Sequence, residues 1–143
     1  MLDGYTHIIP MPVRFGDLDA LGHLNNAKYA TYIEQARIQY VTDVCGFRGL
    51  WNELGMILAR IEIDFKAPIL YGDTVEIYTR CSRIGSKSFD LDYVITRQAA
   101  TQSASQVSAT SRSVLVAFDY TTQQTMAVPD SWRTAMTAYD HLG

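Results

Sequence analysis

The spacing of apolar residues changes along this chain, and each change marks an element. From about His7 to Phe15 the chain reads as a strand, weakened by Pro10 and Pro12. Prolines there suit a sheet edge or a bend better than a central strand. From about Asn26 to Cys45, Tyr29, Ile33, Ala36, Tyr40 and Val44 recur at spacings of four, three, four and four, which predicts a long helix. Asn25 or Asn26 supplies an N-cap, and Gly46 a left-handed residue at the far end. Lys28, Gln35 and Gln39 lie on the opposite side, and Glu34 and Arg37 are one turn apart.

A helical turn is expected near Gly49–Leu54, and the period then falls to two. Ile57, Ala59, Ile61, Ile63 and Phe65 form one face of a strand that Pro68 interrupts. Turns at Tyr71-Gly72-Asp73 and Gly85-Ser86 separate a strand carrying Val75, Ile77, Thr79 and Cys81 from one carrying Phe89, Leu91, Tyr93 and Ile95. An exposed loop over Gln98–Gln106 leads to a last strand, about Ala109 to Tyr120, with Val114, Val116 and Phe118 on one face. Pro129-Asp130 opens a short helix containing Trp132 and Met136. The order is strand, long helix, then four strands read as an antiparallel meander, hence one α+β domain over residues 1–143. Leu58, Tyr78, Val94 and Leu115 fall at outward parities, which points to association with another subunit.

Composition narrows the class. The 143 residues are 48% apolar with a net charge of −3, an ordinary balance for a packed domain. That charge gives no basic surface for nucleic acid and no long-range attraction for an anionic ligand. Cys45 and Cys81 are too few for a metal framework and read as free thiols in a reducing compartment. Neither a secretory leader nor a membrane span is legible, so a cytoplasmic location is expected.

The residues most suggestive of chemistry are Arg14-Phe15-Gly16-Asp17-Leu18-Asp19-Ala20-Leu21-Gly22-His23-Leu24-Asn25-Asn26, where the first strand gives way to the long helix. One reading is a capping turn with solvated acids. A second is a calcium loop starting at Asp17, but Leu21 then occupies the fifth position and Lys28 the twelfth, where oxygen ligands belong. A metal site built on Asp17, Asp19 and His23 has too few ligands to be closed. The third is acyl transfer. A carboxylate attacks or activates water, and the free N–H groups of a helix start hold the carbonyl oxygen. Asp19 precedes Asn26 by seven residues, enough chain to loop back.

That segment, with Tyr29, resembles the opening motif of hotdog-fold thioesterases, nearest the 4-hydroxybenzoyl-CoA thioesterase-like acyl-CoA thioesterases in a Gly-His-x-Asn-Asn variant. Ile63-Asp64-Phe65-Lys66-Ala67-Pro68-Ile69-Leu70-Tyr71-Gly72-Asp73-Thr74-Val75 and Gly85-Ser86-Lys87-Ser88-Phe89 resemble the same family, so the likeness spans about residues 8 to 120. It implies a five-stranded antiparallel sheet wrapped around one long central helix, and hydrolysis of acyl-CoA to free acid and coenzyme A. It further implies Asp19 as nucleophile or general base, the backbone N–H of Asn26 as oxyanion donor, and His23 in a supporting role. Asp17 supports the turn and Asn25 caps the helix.

In such proteins basic residues near the Arg83-Ile84-Gly85-Ser86-Lys87 turn bind the CoA nucleotide. Here only Lys87 and nearby Arg83 remain, which leaves coenzyme A and an acyl carrier protein both open as the acyl carrier. Tyr29, Tyr32, Trp51 and Met56 are candidates for an apolar acyl pocket, with core packing as the competing account of each. The family resemblance requires no cofactor or metal. It implies a homodimer, with a homotetramer also open, whose site lies between the Asp19 turn and a partner strand over Arg60–Phe65. A non-catalytic acyl-CoA-binding domain is the alternative from another class. A hydratase of the same broad fold suits the Asp19 turn less well.

Overall fold

The computed structural model describes residues 2–47 and 54–143. Trp51 and the expected helical turn near Gly49–Leu54 lie outside the described residues, apart from Leu54, which already opens a strand. The elements are β1 (His7–Pro10), α1 (Asn26–Cys45), β2 (Leu54–Phe65), β3 (Thr74–Ile84), β4 (Ser88–Gln98), β5 (Gln106–Asp119), β6 (Gln124–Thr125) and α2 (Asp130–Tyr139). The sheet order is β1-β3-β4-β5-β2, antiparallel throughout, with β6 pairing β5. Its inner face wraps the single long helix α1, an α+β hotdog fold.

The helix forms where its apolar period predicts. Tyr29, Tyr32, Ile33, Ala36, Tyr40 and Val41 are buried and join Val75, Ile77, Phe89, Leu91, Ile95, Leu115 and Ala117 of the sheet in one core. Burial of such side chains is the main term holding helix to sheet, at about 1.5–3 kcal/mol for each large aliphatic group. Arg37 is also buried on this face, with Nη1 donating to Ser113 Oγ at 3.3 Å. Helix α2 seals the lower core with Trp132 and Met136. Its end is tied back through Asp140, whose carboxylate accepts from the Tyr40 hydroxyl and from Cys81 N.

Three sequence expectations need correction. The first strand ends at Pro10 instead of running to Phe15, and Phe15–Asp17 is a turn of 3-10 helix. Met11 N still reaches Val75 O at 2.9 Å, but Pro12 has no N–H with which to continue the ladder. The meander covers only β3, β4 and β5; β2 crosses to the far edge and pairs β5. Strand β2 also changes face midway. Its register against β5 shifts between Leu58 and Arg60, so Met56 is buried before the bulge, while Ile61 and Ile63 are half-buried after it. Ile57 and Phe65, expected on the buried face, are 38% and 49% exposed.

The outward apolar parities divide differently from expectation as well. Leu115 faces the core, Tyr78 is covered by an edge contact from Tyr5, Val94 is half-buried, and only Leu58 of that group is exposed. The outer face over β4 and β5 carries ion pairs instead, with Arg112 clasping Asp92 at 2.7 and 3.2 Å.

Gly46 ends α1 at φ +71, with its N–H on Thr42 O and that of Phe47 on Val41 O. No atom stands where a Cβ would be added, so the substitution Gly46→Ala costs only backbone strain. It should lower unfolding free energy by about 1–2 kcal/mol in urea titration, with an unchanged far-UV spectrum.

Candidate active site

The start of α1 organises everything around it. Asn25 sits just outside the helix at φ −61, ψ 133, and its Oδ1 accepts from Ala27 N at 3.0 Å. Lys28 N takes the Asn25 carbonyl at 2.8 Å. Those two bonds leave the N–H of Asn26 without an acceptor among the described residues, as the first residues of any helix tend to be left. Asn25 is thus the cap.

The preceding loop doubles back onto this point. Asn25 N donates to Asp17 O at 2.9 Å, Leu18 bridges Leu24, and Asp19 N donates to His23 O at 2.7 Å. Gly22, at φ +81, makes the reversal that a side-chain-bearing residue resists. A second segment buttresses the loop from outside. His23 bridges Leu70, and Leu24 N reaches Ile69 O at 2.8 Å. Asp73 pins that segment by accepting from Leu70 N at 2.8 Å and Arg97 Nε at 2.7 Å.

The two acids of the motif have opposite surroundings. Asp19 is exposed. Its Oδ1 accepts from Leu21 N at 2.9 Å and His23 N at 3.1 Å, while Oδ2 has no partner among the described residues. Asp17 is only 2% exposed and lies beneath the loop. It accepts from the Tyr32 hydroxyl at 2.7 Å, and from Arg14 through N, Nε and Nη2 at 3.4 Å each, with Lys28 Nζ at 4.0 Å. The Tyr32 hydrogen bond, against the opposing effect of burial and aided by Arg14, holds the Asp17 carboxyl below the ordinary aspartate range. Burial first, and then Asp17 itself, pushes the Tyr32 phenol well above its usual value.

The remaining expected residues are placed as follows. His23 is half-buried and joined to Asp19 through its backbone, and its ring has no hydrogen-bond partner among the described residues. Tyr29 is buried, its hydroxyl 3.2 Å from Ser108 Oγ and its ring edge-on to Phe65 at 5.0 Å. Met56 packs in the core. Arg83 and Lys87 are not with Asp19: they sit at the far end of β3, which as an 11-residue strand is about 35 Å long. Arg83 is engaged there by Ser88 Oγ at 3.1 Å and Asp90 Oδ1 at 3.2 Å. Both cysteines are free thiols, and burial pushes each up to about 12, so neither is a ready nucleophile.

Sequence reasoning missed three features of the site. The Tyr32–Asp17 bond is one, though a buried aspartate implies some donor nearby. The apolar rim is another: Phe15 and Leu21 are 77% and 81% exposed, and Phe15 meets Tyr71 edge-on at 5.9 Å. The third is a groove of about 660 Å³ on the other side of Tyr32, lined in part by Ile9, Met11, Arg14, Gln35 and Gln39. It does not include Asp19.

An exposed carboxylate oxygen in a loop that leads to an open helix N–H, with Phe15 and Leu21 exposed in the same loop, is suited to a neutral, apolar acyl compound that develops negative charge as it reacts. A model of the thioesterase-like superfamily matches residues 13–136. The chain belongs to that superfamily. It is similar to the long-chain acyl-CoA thioesterase FadM of Escherichia coli, 27% identical over 122 residues that cover 85% of this chain and 89% of that protein. Among solved structures it resembles a Thermus thermophilus thioesterase complexed with coenzyme A and zinc, at 28% identity and a TM-score of 0.83, covering 99% of each chain. The gentisyl-coenzyme A thioesterase BH1999 is similar at 26% identity and a TM-score of 0.78, over 90% of this chain and 98% of that one. Among the described residues of this superfamily member, no helix is long and apolar enough to cross a membrane.

The depressed Asp17 carboxyl sets a pH signature. A group held below its unfolded value, about 3.9, stabilises the fold at every pH above that value and ceases to do so as pH falls through its folded value. Wild type should therefore exceed the Asp17→Asn variant in unfolding free energy at pH 7. The gap should shrink progressively below about pH 4. Chemical denaturation of both proteins at pH 7 and pH 3 measures it; a gap that widens in acid contradicts the assignment.

Proposed function

We propose that this chain hydrolyses acyl-CoA thioesters to the free acid and coenzyme A. The observation that carries the proposal is an open Asp19 Oδ2 in a loop that doubles back onto the start of α1, where the N–H of Asn26 is also open among the described residues. Two backbone amides on Oδ1 fix the Asp19 carboxylate and leave one oxygen for chemistry. Asp19 then attacks the thioester carbonyl directly, or takes a proton from the water that does. In either route the carbonyl oxygen gains negative charge, which the Asn26 N–H and the helix start stabilise. His23, joined to Asp19 through its backbone, orients the water. Coenzyme A as carrier is supported by the likeness to FadM and to the Thermus thermophilus thioesterase.

Acyl-CoA hydrolysis followed by thiol release across short, long and aromatic acyl groups tests the proposal. Asp19→Asn should reduce kcat by about 10²-fold or more with the fold intact. Equal turnover by wild type and this variant would remove Asp19 from the mechanism. Tight acyl-CoA binding without turnover by wild type would favour the non-catalytic domain.

We further infer that the site is completed by a second copy. Among the described residues the outer edge of β2 has no strand beside it, and Ile57, Leu58 and Phe65 are exposed along it. Pairing two such edges about a two-fold axis runs the sheets together in opposite directions. The far end of one sheet, which carries the basic β3–β4 turn, is then brought toward the Asp19 end of the other. Replacing Phe65 by Asp places an unpaired charge on this edge. Sedimentation should report half the wild-type mass, and turnover should fall with it; an unchanged mass places the contact elsewhere.

A further inference from the structure

We propose that Tyr32 is a positioning residue: its hydroxyl, acting through Asp17, holds the loop that carries Asp19 against the start of α1. The proposal rests on the thioesterase reading for its kinetic consequence, but its structural part does not depend on it.

The chain of contacts is short. Tyr32 lies two turns into α1, with its ring buried and its hydroxyl 2.7 Å from Asp17 Oδ2. Among the described residues that is the only short hydrogen bond to the Asp17 carboxylate; the Arg14 contacts are 3.4 Å and come from a side chain 72% exposed, and Lys28 stands at 4.0 Å. Asp17 in turn closes the 3-10 turn through its N–H to Arg14 O at 2.9 Å, and its carbonyl receives Asn25 N at 2.9 Å. One residue therefore joins three things: the strand-side turn, the cap of α1 and, two positions on, Asp19. Asp19 is exposed, and its own bonds are all internal to the loop, to Leu21, Gly22 and His23. Those bonds fix the shape of the loop. They do not fix the place of the loop on the helix; the Asp17 contacts do that, together with the buttress from Ile69 and Leu70, and Tyr32 holds the Asp17 carboxylate.

Geometry also separates this role from core packing. The Tyr32 ring is part of the core, but its hydroxyl adds nothing to apolar burial. Tyr32→Phe keeps the ring and removes only the donor, leaving a buried carboxylate without its short bond.

The test is hydrogen exchange at single amides together with steady-state kinetics. In Tyr32→Phe the amides of Asp19 and Asn25 should exchange about tenfold faster, while those of Ile33 and Ala36 in mid-helix keep their wild-type rates. On acyl-CoA, kcat should fall about tenfold with KM within about twofold, the split expected when reacting groups are displaced and binding is retained. Asp17→Asn retains an oxygen for the Tyr32 hydroxyl and should keep more kcat than Asp17→Ala. The double variant Tyr32→Phe/Asp17→Ala should be no slower than Asp17→Ala alone. Unchanged exchange at Asp19 and Asn25 overturns the clamp whatever the turnover. Faster exchange with wild-type kcat, in a protein that Asp19→Asn inactivates, overturns its positioning role. A uniform rise in exchange across α1 reduces Tyr32 to a general stabiliser and overturns it too. A wild type that hydrolyses no acyl-CoA refutes the thioesterase reading instead, and the exchange rates then decide the clamp alone.

Discussion

The unmet hydrogen bonds at the beginning of a helix are the constraint around which this molecule is arranged. The first turn of α1 has N–H groups with no carbonyl one turn earlier. Asn25 satisfies one with its side chain and another with its carbonyl, while its own N–H is taken by Asp17. What is left over is the N–H of Asn26, in a helix start onto which the loop carrying Asp19 doubles back. Under the proposed reading, capping and chemistry are two uses of the same local shortage.

That arrangement explains why two acids two residues apart have such different lives. Asp17 is drawn under the loop, where it takes hydrogen bonds from Tyr32 and Arg14 and remains charged although buried. Asp19 remains outside, half satisfied by the backbone. Burial without donors would neutralise the first; full solvation would leave the second free to rotate. The loop, its glycine at positive φ and the buttress from Ile69 and Leu70 impose the difference.

Much of this was legible in the sequence. The period of four and three located α1, and Gly46 its end, because a helix that packs on one side must repeat its apolar residues. Asn25 as cap and the alternating inner faces of β3 and β4 followed from equally local rules. The errors came where non-local pairing decides. Nothing near β2 says that it pairs β5 instead of β3, and a bulge at Leu58–Arg60 is invisible until the partner strand is known. The inner face of β5 was hidden because Ser111 and Ser113 occupy buried positions there, Ser113 accepting from Arg37 and Ser111 donating to the Glu62 carbonyl. At the site, the residues of the loop were readable as a motif. The donor to Asp17 was not, since it comes from 15 positions further along and meets its acceptor only after helix and loop have packed. Arg83 and Lys87 could be named from the resemblance, but their distance from Asp19 within one chain depends on the direction of β3.

The bulge in β2 has a consequence for how this chain tolerates change in length. Because one surplus residue lets Met56 and Ile61 both turn inward, the two halves of the strand keep separate reading frames against β5. Loss of a single residue in that stretch would restore strict alternation and send one half's apolar side chains outward along the sheet's open edge. Gain of one in the loop beyond Gln98 would be absorbed by solvent. Equal edits a few strands apart thus differ in kind: one alters a count, and the other alters which side of the sheet the sequence is written on.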